Sequence, residues 1–308
     1  MLVYVILQLS LLLNWQWQSL PYLNLAPKDF FQTVSEQKIV EANKIINPVI
    51  APKKVPNQSL GIKTDAVSTI VVDKQSNKIL FAHNAEEVRS VASLTKLISA
   101  LVFLDTNPDW TKTVTYDIDD MEDGAQLGIF MGEEANLKDV FMMTLMASAN
   151  DGINLLVKMS GLSRGDFVYR MNKKAKDLGM SNTNFVEPTG LDARNQSTAA
   201  DLVYLARSAF NQPLIREATT SKRYSFTTIN SNRLVSKKNT DKLVGGFLDI
   251  KAGKTGYTDE AGNNLILEVQ DKGKHPIIVV VLGASSGEAR FQDAKALSVW
   301  TFENYEWQ

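Results

Sequence analysis

Apolar, largely β-branched residues fill Ala66–Val72, and a second apolar stretch runs through Lys78–Ala82. Gln75-Ser76-Asn77 lies between them, and this pattern predicts a β-hairpin. From Ser93 to about Phe210 the apolar positions recur at helical spacing, including Leu137 to Ala147 and Ser163 to Leu178. Strand signals return in Arg223–Ile229, Asn264–Gln270 and Pro276–Leu282, the last two linked by Asp271-Lys272-Gly273-Lys274, and helical spacing resumes over Glu288–Tyr305. Strands at both ends of a helical block predict an α/β protein of the α+β kind: one sheet built from distant segments, packed by helices and carrying an inserted all-helical region. A site is expected where the two meet.

The chain opens differently. Met1–Leu13 is an apolar run followed by Asn14-Trp15-Gln16-Trp17-Gln18. It resembles an export signal or a short membrane anchor, yet no Lys or Arg precedes it, and it is shorter than the ~20 residues a spanning helix needs. Leu25-Ala26-Pro27 is a poor cleavage site, so an uncleaved interfacial anchor with Trp15 and Trp17 at headgroup level stands beside a removed signal. A buried amphipathic segment of the domain is the third alternative. From Pro27 the chain turns polar, with Pro48, Pro52 and Pro56 around Lys53-Lys54, and reads as a linker. The expected organisation is 1–26 signal or anchor, 27–64 linker and 65–308 folded domain.

Composition narrows the chemistry. With 308 residues, 44% of them hydrophobic, the chain can bury a large core. A formal net charge of -1 offers no basic field, so nucleic acid is not an expected partner. There is no cysteine, which removes thiol nucleophiles, disulfides and cysteine-ligated zinc together. His83 and His275 are the two histidines, each in a predicted turn, and neither has a nucleophile-like serine setting nearby. No cofactor is expected.

One residue is out of place in this pattern. Helix Ser93–Leu104 is apolar almost all round after its first turn and should be buried, yet Lys96 sits at its mouth. A buried ammonium is costly, and the positive end of the helix dipole opposes it. Residues three apart share a helix face, so the Lys96 amine can reach the Ser93 hydroxyl, the geometry of a nucleophile beside its base. Alone, the pattern is weak: Ser93 could simply cap the helix while Lys96 reaches water. Ser35-Glu36-Gln37-Lys38 repeats it in a polar stretch with no buried helix behind.

Two further segments supply context. Ser148-Ala149-Asn150-Asp151 lies between two apolar helical runs, where helix capping alone would also explain it. Lys254-Thr255-Gly256-Tyr257-Thr258 leads towards the strand at Asn264 and, taken alone, reads as an exposed turn. Ser-x-x-Lys, Ser-x-Asn and Lys-Thr-Gly in this order form the set shared by class A β-lactamases and penicillin-binding proteins. With Phe185–Leu191, Ser197–Asp201 and Lys254–Gly262, the chain resembles the low-molecular-mass penicillin-binding proteins, the serine D-alanyl-D-alanine carboxypeptidases, from about Ala66 to Tyr305. Val91, where that family usually has proline, is a departure that touches no reacting group.

The resemblance implies a mainly antiparallel sheet of the DD-peptidase/β-lactamase kind, and a set of roles. Ser93 would attack the penultimate D-alanine carbonyl of a peptidoglycan stem peptide, with Lys96 as base, kept partly neutral by burial and by the charge of Lys254. Ser148 would relay a proton from Lys96 to the leaving amine, and Asn150 would hold the substrate amide. Lys254 and Thr255 would take the terminal carboxylate, and Gly256 would let the substrate backbone come close. Backbone N–H groups of Ser93 and Tyr257 would form the oxyanion hole. β-Lactams would be covalent inhibitors, and the location extracytoplasmic, in the periplasm or at the cell surface. Endopeptidase action on cross-links is an alternative. So is a class A-like β-lactamase, although its Glu-x-x-Leu-Asn pattern is missing and Glu187-Pro188-Thr189-Gly190-Leu191 lacks the spacing. A non-catalytic penicillin-sensing module is a third. A P-loop reading of Gly253-Lys254-Thr255 fails, because Leu248 stands where the first glycine belongs.

Overall fold

The computed structural model describes residues 49–308, apart from Gln58 and Leu60. The expected N-terminal signal or anchor and the second Ser-x-x-Lys pattern lie outside these residues. Strands β1 (Ser68–Asp73), β2 (Ile79–His83), β3 (Asp249–Thr258), β4 (Gly262–Gln270) and β5 (Pro276–Ala284) form one antiparallel sheet in the order β3-β4-β5-β1-β2. The two ends of the described chain thus meet side by side, with Val280 of β5 opposite Ile70 of β1.

Both faces of this sheet are covered, which explains the unbroken apolar run in β5. Alternate side chains of a strand point to opposite faces. Ile278, Val280 and Leu282 join Ile70 and Val72 in one core, while Ile277, Val279 and Val281 join Val71, Leu265 and Leu267 in the other. Phe291 and Leu297 of the long C-terminal helix complete the second core. Burying each such side chain is worth roughly 1.5–3 kcal/mol, so β5 is an anchor for both layers.

Seven helices are described: α1 (Thr95–Leu104), α2 (Leu137–Ala147), α3 (Asn150–Met159), α4 (Arg164–Leu178), α5 (Ala199–Ala209), α6 (Pro213–Thr220) and α7 (Gly287–Asn304). Their starts follow local capping chemistry. Ser163, Thr198 and Ser286 each accept a hydrogen bond from a backbone N–H of the first turn, and Gly179 ends α4 in the left-handed conformation. Helix α5 packs against both the sheet and α1, whereas α6 bridges α2 and β3. No described helix is long and apolar enough to cross a membrane.

Three expectations need correction. Arg223–Thr227 is a strand, but it pairs with Leu234–Lys238 in a separate hairpin packed on α2 rather than joining the main sheet. Lys254–Thr258 is the end of an edge strand and not a turn, because β4 supplies partners along its whole length. The described part of the expected linker is docked rather than free. Lys53–Lys54 pairs with Tyr305–Glu306, Val55 N donates to Asn304 O at 2.9 Å, and the Trp300 indole donates to Ser59 Oγ at 2.8 Å. The compact unit therefore begins at Ile50.

Candidate active site

Where the helical block meets the free edge of β3, a cleft of about 310 Å³ is lined by Ser93, Ser148, Asn150, Thr255, Gly256 and Tyr257, together with Gly124, Ala125, Gly190, Leu191, Thr240 and Arg290. Six of the eight candidate residues line it, and the other two, Lys96 and Lys254, are buried behind its wall.

Ser93 is not the helix cap. It sits half-buried in a 3-10 turn, Ala92–Leu94, that precedes α1, and its side chain caps no backbone N–H. Ala92 before it has φ +48°, and Ser148 at the end of α2 has φ +60°. A non-glycine residue in this left-handed region costs roughly 1–2 kcal/mol, so two such residues flank the site at the expense of stability. The turn is held from both sides. A Cβ on Gly256 would lie 2.9 Å from Val91 O, and one on Gly190 would lie 2.1 Å from Ala92 O. Gly256 is thus required by the protein's own nucleophile turn, a reason that differs from the expected approach of a substrate backbone.

Lys96 does not reach water. Its side chain is fully buried, and Nζ lies 2.9 Å from Ser93 Oγ, 2.6 Å from Asn150 Oδ1 and 2.6 Å from the Thr189 carbonyl. A neutral amine has two N–H groups and one lone pair. Asn150 and Thr189 are pure acceptors at these positions, so they take the two N–H groups and leave the lone pair to the Ser93 hydroxyl. Burial brings the Lys96 pKa down from 10.5 to about 7, against the opposing pull of Glu187, Asp151 and Glu122. The amine is therefore available as a proton acceptor near neutral pH.

Lys254 is equally buried and donates to Ser148 Oγ at 2.8 Å and to the Thr255 carbonyl at 2.9 Å. Burial, then the charges of Lys96 and Arg290, hold its pKa well below the ordinary lysine value, and Asp241 opposes them. Repulsion between the two buried lysines is mutual and disfavours charging both at once. The hydrogen bond that Ser148 Oγ accepts comes from Lys254. Asn150 is used at both ends, its Nδ2 donating to Asp123 O at 2.6 Å. It braces Lys96 and the Asp123–Ala125 rim, and its amide keeps a second N–H and a second lone pair at the cleft wall. The Thr255 hydroxyl bonds to that of Thr240 at 2.6 Å.

Several site residues carry no sequence signal. Arg290 of α7 lines the cleft and donates to Gly256 O at 2.9 Å. It adds a half-buried guanidinium that interacts with the buried Asp241. Asp151 accepts from Leu127 N at 2.9 Å and Gly152 N at 2.8 Å, fixing the loop that carries Gly124 and Ala125. Glu187 does not line the cleft. Among the described residues no cluster of three or more His, Asp or Glu could hold a metal ion. The assembly can take a proton from a hydroxyl and present cations to an anionic group a few ångströms away.

A family described as D-alanyl-D-alanine carboxypeptidase matches residues 53–286. Among curated relatives, the D-alanyl-D-alanine endopeptidase of Escherichia coli is 34% identical over 236 residues, 76% of either chain. Among solved structures, the DD-transpeptidase of Streptomyces superposes with a TM-score of 0.74 at 25% identity, covering 80% of this chain and all of the other. A penicillin-binding protein of Listeria monocytogenes in its cefotaxime-bound form gives 0.69 at 29%, over 79% of this chain and 100% of that one.

Proposed function

This chain belongs to the D-alanyl-D-alanine carboxypeptidase family of serine peptidases, and from that premise we propose that Ser93 is its nucleophile and Lys96 the base. The observation that carries the reading is the 2.9 Å contact between Ser93 Oγ and a fully buried Lys96 amine whose other two hydrogen bonds go to fixed acceptors. The Ser93 hydroxyl passes its proton to Lys96 as Oγ attacks the carbonyl of the penultimate D-alanine. The C–N bond to the terminal D-alanine breaks, and that amine leaves with a proton delivered through the Lys254–Ser148 pair. Water then hydrolyses the acyl-enzyme: the proton it gives up restores the Lys254–Ser148 pair, and Lys96 returns its proton to Ser93 Oγ. Lys254, Thr255 and Arg290 surround the position of the leaving residue's carboxylate, which favours substrates with a free carboxylate there. A β-lactam mimics the same amide and acylates Ser93.

Glu187, already saturated by loop donors, is not free to activate a deacylating water, so the acyl-enzyme formed with a β-lactam should persist. A second reading, cleavage of peptidoglycan cross-links, is favoured by the endopeptidase name of the Escherichia coli relative. The proposed action on peptidoglycan stem peptides calls for an extracytoplasmic location, with the apolar N-terminus as the candidate export or tethering signal.

The test compares purified wild type and Ser93→Ala on a D-alanyl-D-alanine pentapeptide and on cross-linked muropeptides. Wild type should release D-alanine and become labelled by fluorescent penicillin, and Ser93→Ala should do neither. Labelling of Ser93→Ala would remove that residue from the role, and rapid nitrocefin turnover would favour a β-lactamase.

A further inference from the structure

Glu187 lies outside the cleft, yet its carboxylate is the hub of the loop that touches Lys96. Its Oε2 accepts from Thr189 N and Thr189 Oγ1, both at 2.6 Å. Its Oε1 accepts from Gly190 N at 2.5 Å and from Asn195 Nδ2 at 2.8 Å. An ionised carboxylate offers about four acceptor positions, so this one is filled by its own loop. The same loop meets α1 at two points one turn apart: the Thr189 carbonyl takes Lys96 Nζ at 2.6 Å, and the Pro188 carbonyl takes Ser99 Oγ at 2.7 Å. Beside them Gly190, at φ +91°, presses against Ala92 and the Ser93 backbone. The loop is thus a template against which amine and nucleophile are both set.

Resting on the serine-peptidase reading above, we propose that Glu187 is a positioning residue: its carboxylate folds the Glu187–Leu191 loop so that the Thr189 carbonyl takes one Lys96 N–H and aims the amine's lone pair at Ser93. Five charged groups act on this amine's surroundings: Glu187, Asp151 and Glu122 as anions, Lys254 as the cation beyond Ser148, and Arg164 of α4, which lies 3.7 Å from Glu187 Oε2 and partly offsets its charge. Of the three anions Glu187 pulls hardest, drawing the Lys96 pKa upward against burial. Geometry and charge therefore give separable consequences. Placement governs the maximal acylation rate, and charge governs the pH at which the amine becomes neutral.

The experiment measures the second-order rate of labelling by fluorescent penicillin between pH 5 and 9, with melting temperatures alongside. In wild type the rate rises through the Lys96 titration. Glu187→Gln keeps the size but puts N–H groups against N–H donors and removes the charge. Its plateau should fall by about tenfold or more, as small misplacements of reacting groups do. Its rising limb should also move to lower pH by about half a unit or more, the direction expected on losing a nearby anion. Glu187→Asp, which restores the charge on a shorter arm, should return the limb to its wild-type position with the plateau still reduced. A limb that stays put in Glu187→Gln, accompanied only by a lower melting temperature, overturns the proposal and leaves Glu187 a scaffold residue. Should Glu187→Gln not fold, Thr189→Val removes one donor and keeps the charge. It should lower the plateau with the limb at or above its wild-type pH, and a wild-type plateau counts against the idea. Absence of labelling in wild type would instead sink the serine-peptidase reading itself.

Discussion

Beneath α7, Leu265, Leu267, Val279, Val281, Phe291 and Leu297 fill a dry volume with matching aliphatic and aromatic surface. At the seam between α1, α3 and β3 the buried side chains include Lys96, Asn150 and Lys254. In the first region burial and stability point the same way. In the second, each buried charge is held against its own hydration, and the left-handed Ala92 and Ser148 add backbone strain. The sheet spans both regions, so the apolar side supports the reactive side. Changes at the seam should therefore be read in rate first, and changes under α7 in stability first.

The largest expected effect follows from Lys96→Met. It keeps the aliphatic length and removes the lone pair, so acylation by fluorescent penicillin should fall by at least about 10³-fold, the scale of losing one member of a nucleophile-base unit. Labelling within tenfold of wild type would mean that another group takes the Ser93 proton.

Next in size is a matched pair of glycines. Gly190 and Gly179 have nearly the same backbone, φ +91° and +88°, but an added Cβ would meet Ala92 O at 2.1 Å in the first and nothing within 4 Å in the second. Gly179→Ala should cost about 1 kcal/mol in urea unfolding and leave acylation alone. Gly190→Ala should destabilise more and slow acylation by about 10²-fold, because it displaces the Ser93 turn. Equal effects of the two would dissolve the distinction between backbone strain and close approach.

How much of this was legible in the sequence depends on sequence separation. The Ser93–Lys96 pair is local, so helix spacing alone brings the two groups together. Helices Leu137–Ala147 and Arg164–Leu178 match expectation within a residue, the first through its apolar run and the second through Ser163 at its start and Gly179 at its end. Strands β1, β2, β4 and β5 stood out because their apolar runs are bounded by turns. Arg290 was not legible, since one arginine on a mixed helix gives no hint that Gly256 O, far away in sequence, lies 2.9 Å off. The hold of the Glu187 loop on Lys96 is invisible in the sequence, because a carbonyl oxygen leaves no mark in the residue code. The Arg223–Lys238 hairpin shows the converse: its strand pattern was plain, but which sheet a strand joins depends on tertiary packing.

On the apolar side, Leu297→Ala should lower unfolding free energy by about 2–5 kcal/mol through the cavity it leaves. Acylation below the melting transition should stay within about twofold of wild type, since this residue packs under the far face of the sheet. A large rate loss in a folded variant would show that the two regions are not independent.

The smallest effect is also the most direct test of the seam's charge burial. Lys96 has a pKa of about 7 when folded and 10.5 when free, so between these values the unfolded chain holds a proton that the native chain has released. Stability must then rise with pH across that window and be lowest below it, on the order of 1 kcal/mol per pH unit for one proton. Lys254, shifted the same way, adds to the slope. Tyr116, raised to about 12, acts in the opposite sense only above pH 10, and the raised carboxyls of Asp151 and Asp241 do so from the acid side. Between pH 7.5 and 9.5 wild type should therefore gain roughly 5–10 °C in melting temperature from Lys96 alone, at about 2–4 °C per kcal/mol. Lys96→Met should show a visibly flatter profile. An identical slope in both proteins would mean that Lys96 remains protonated in the native state and that the base for Ser93 must be sought elsewhere.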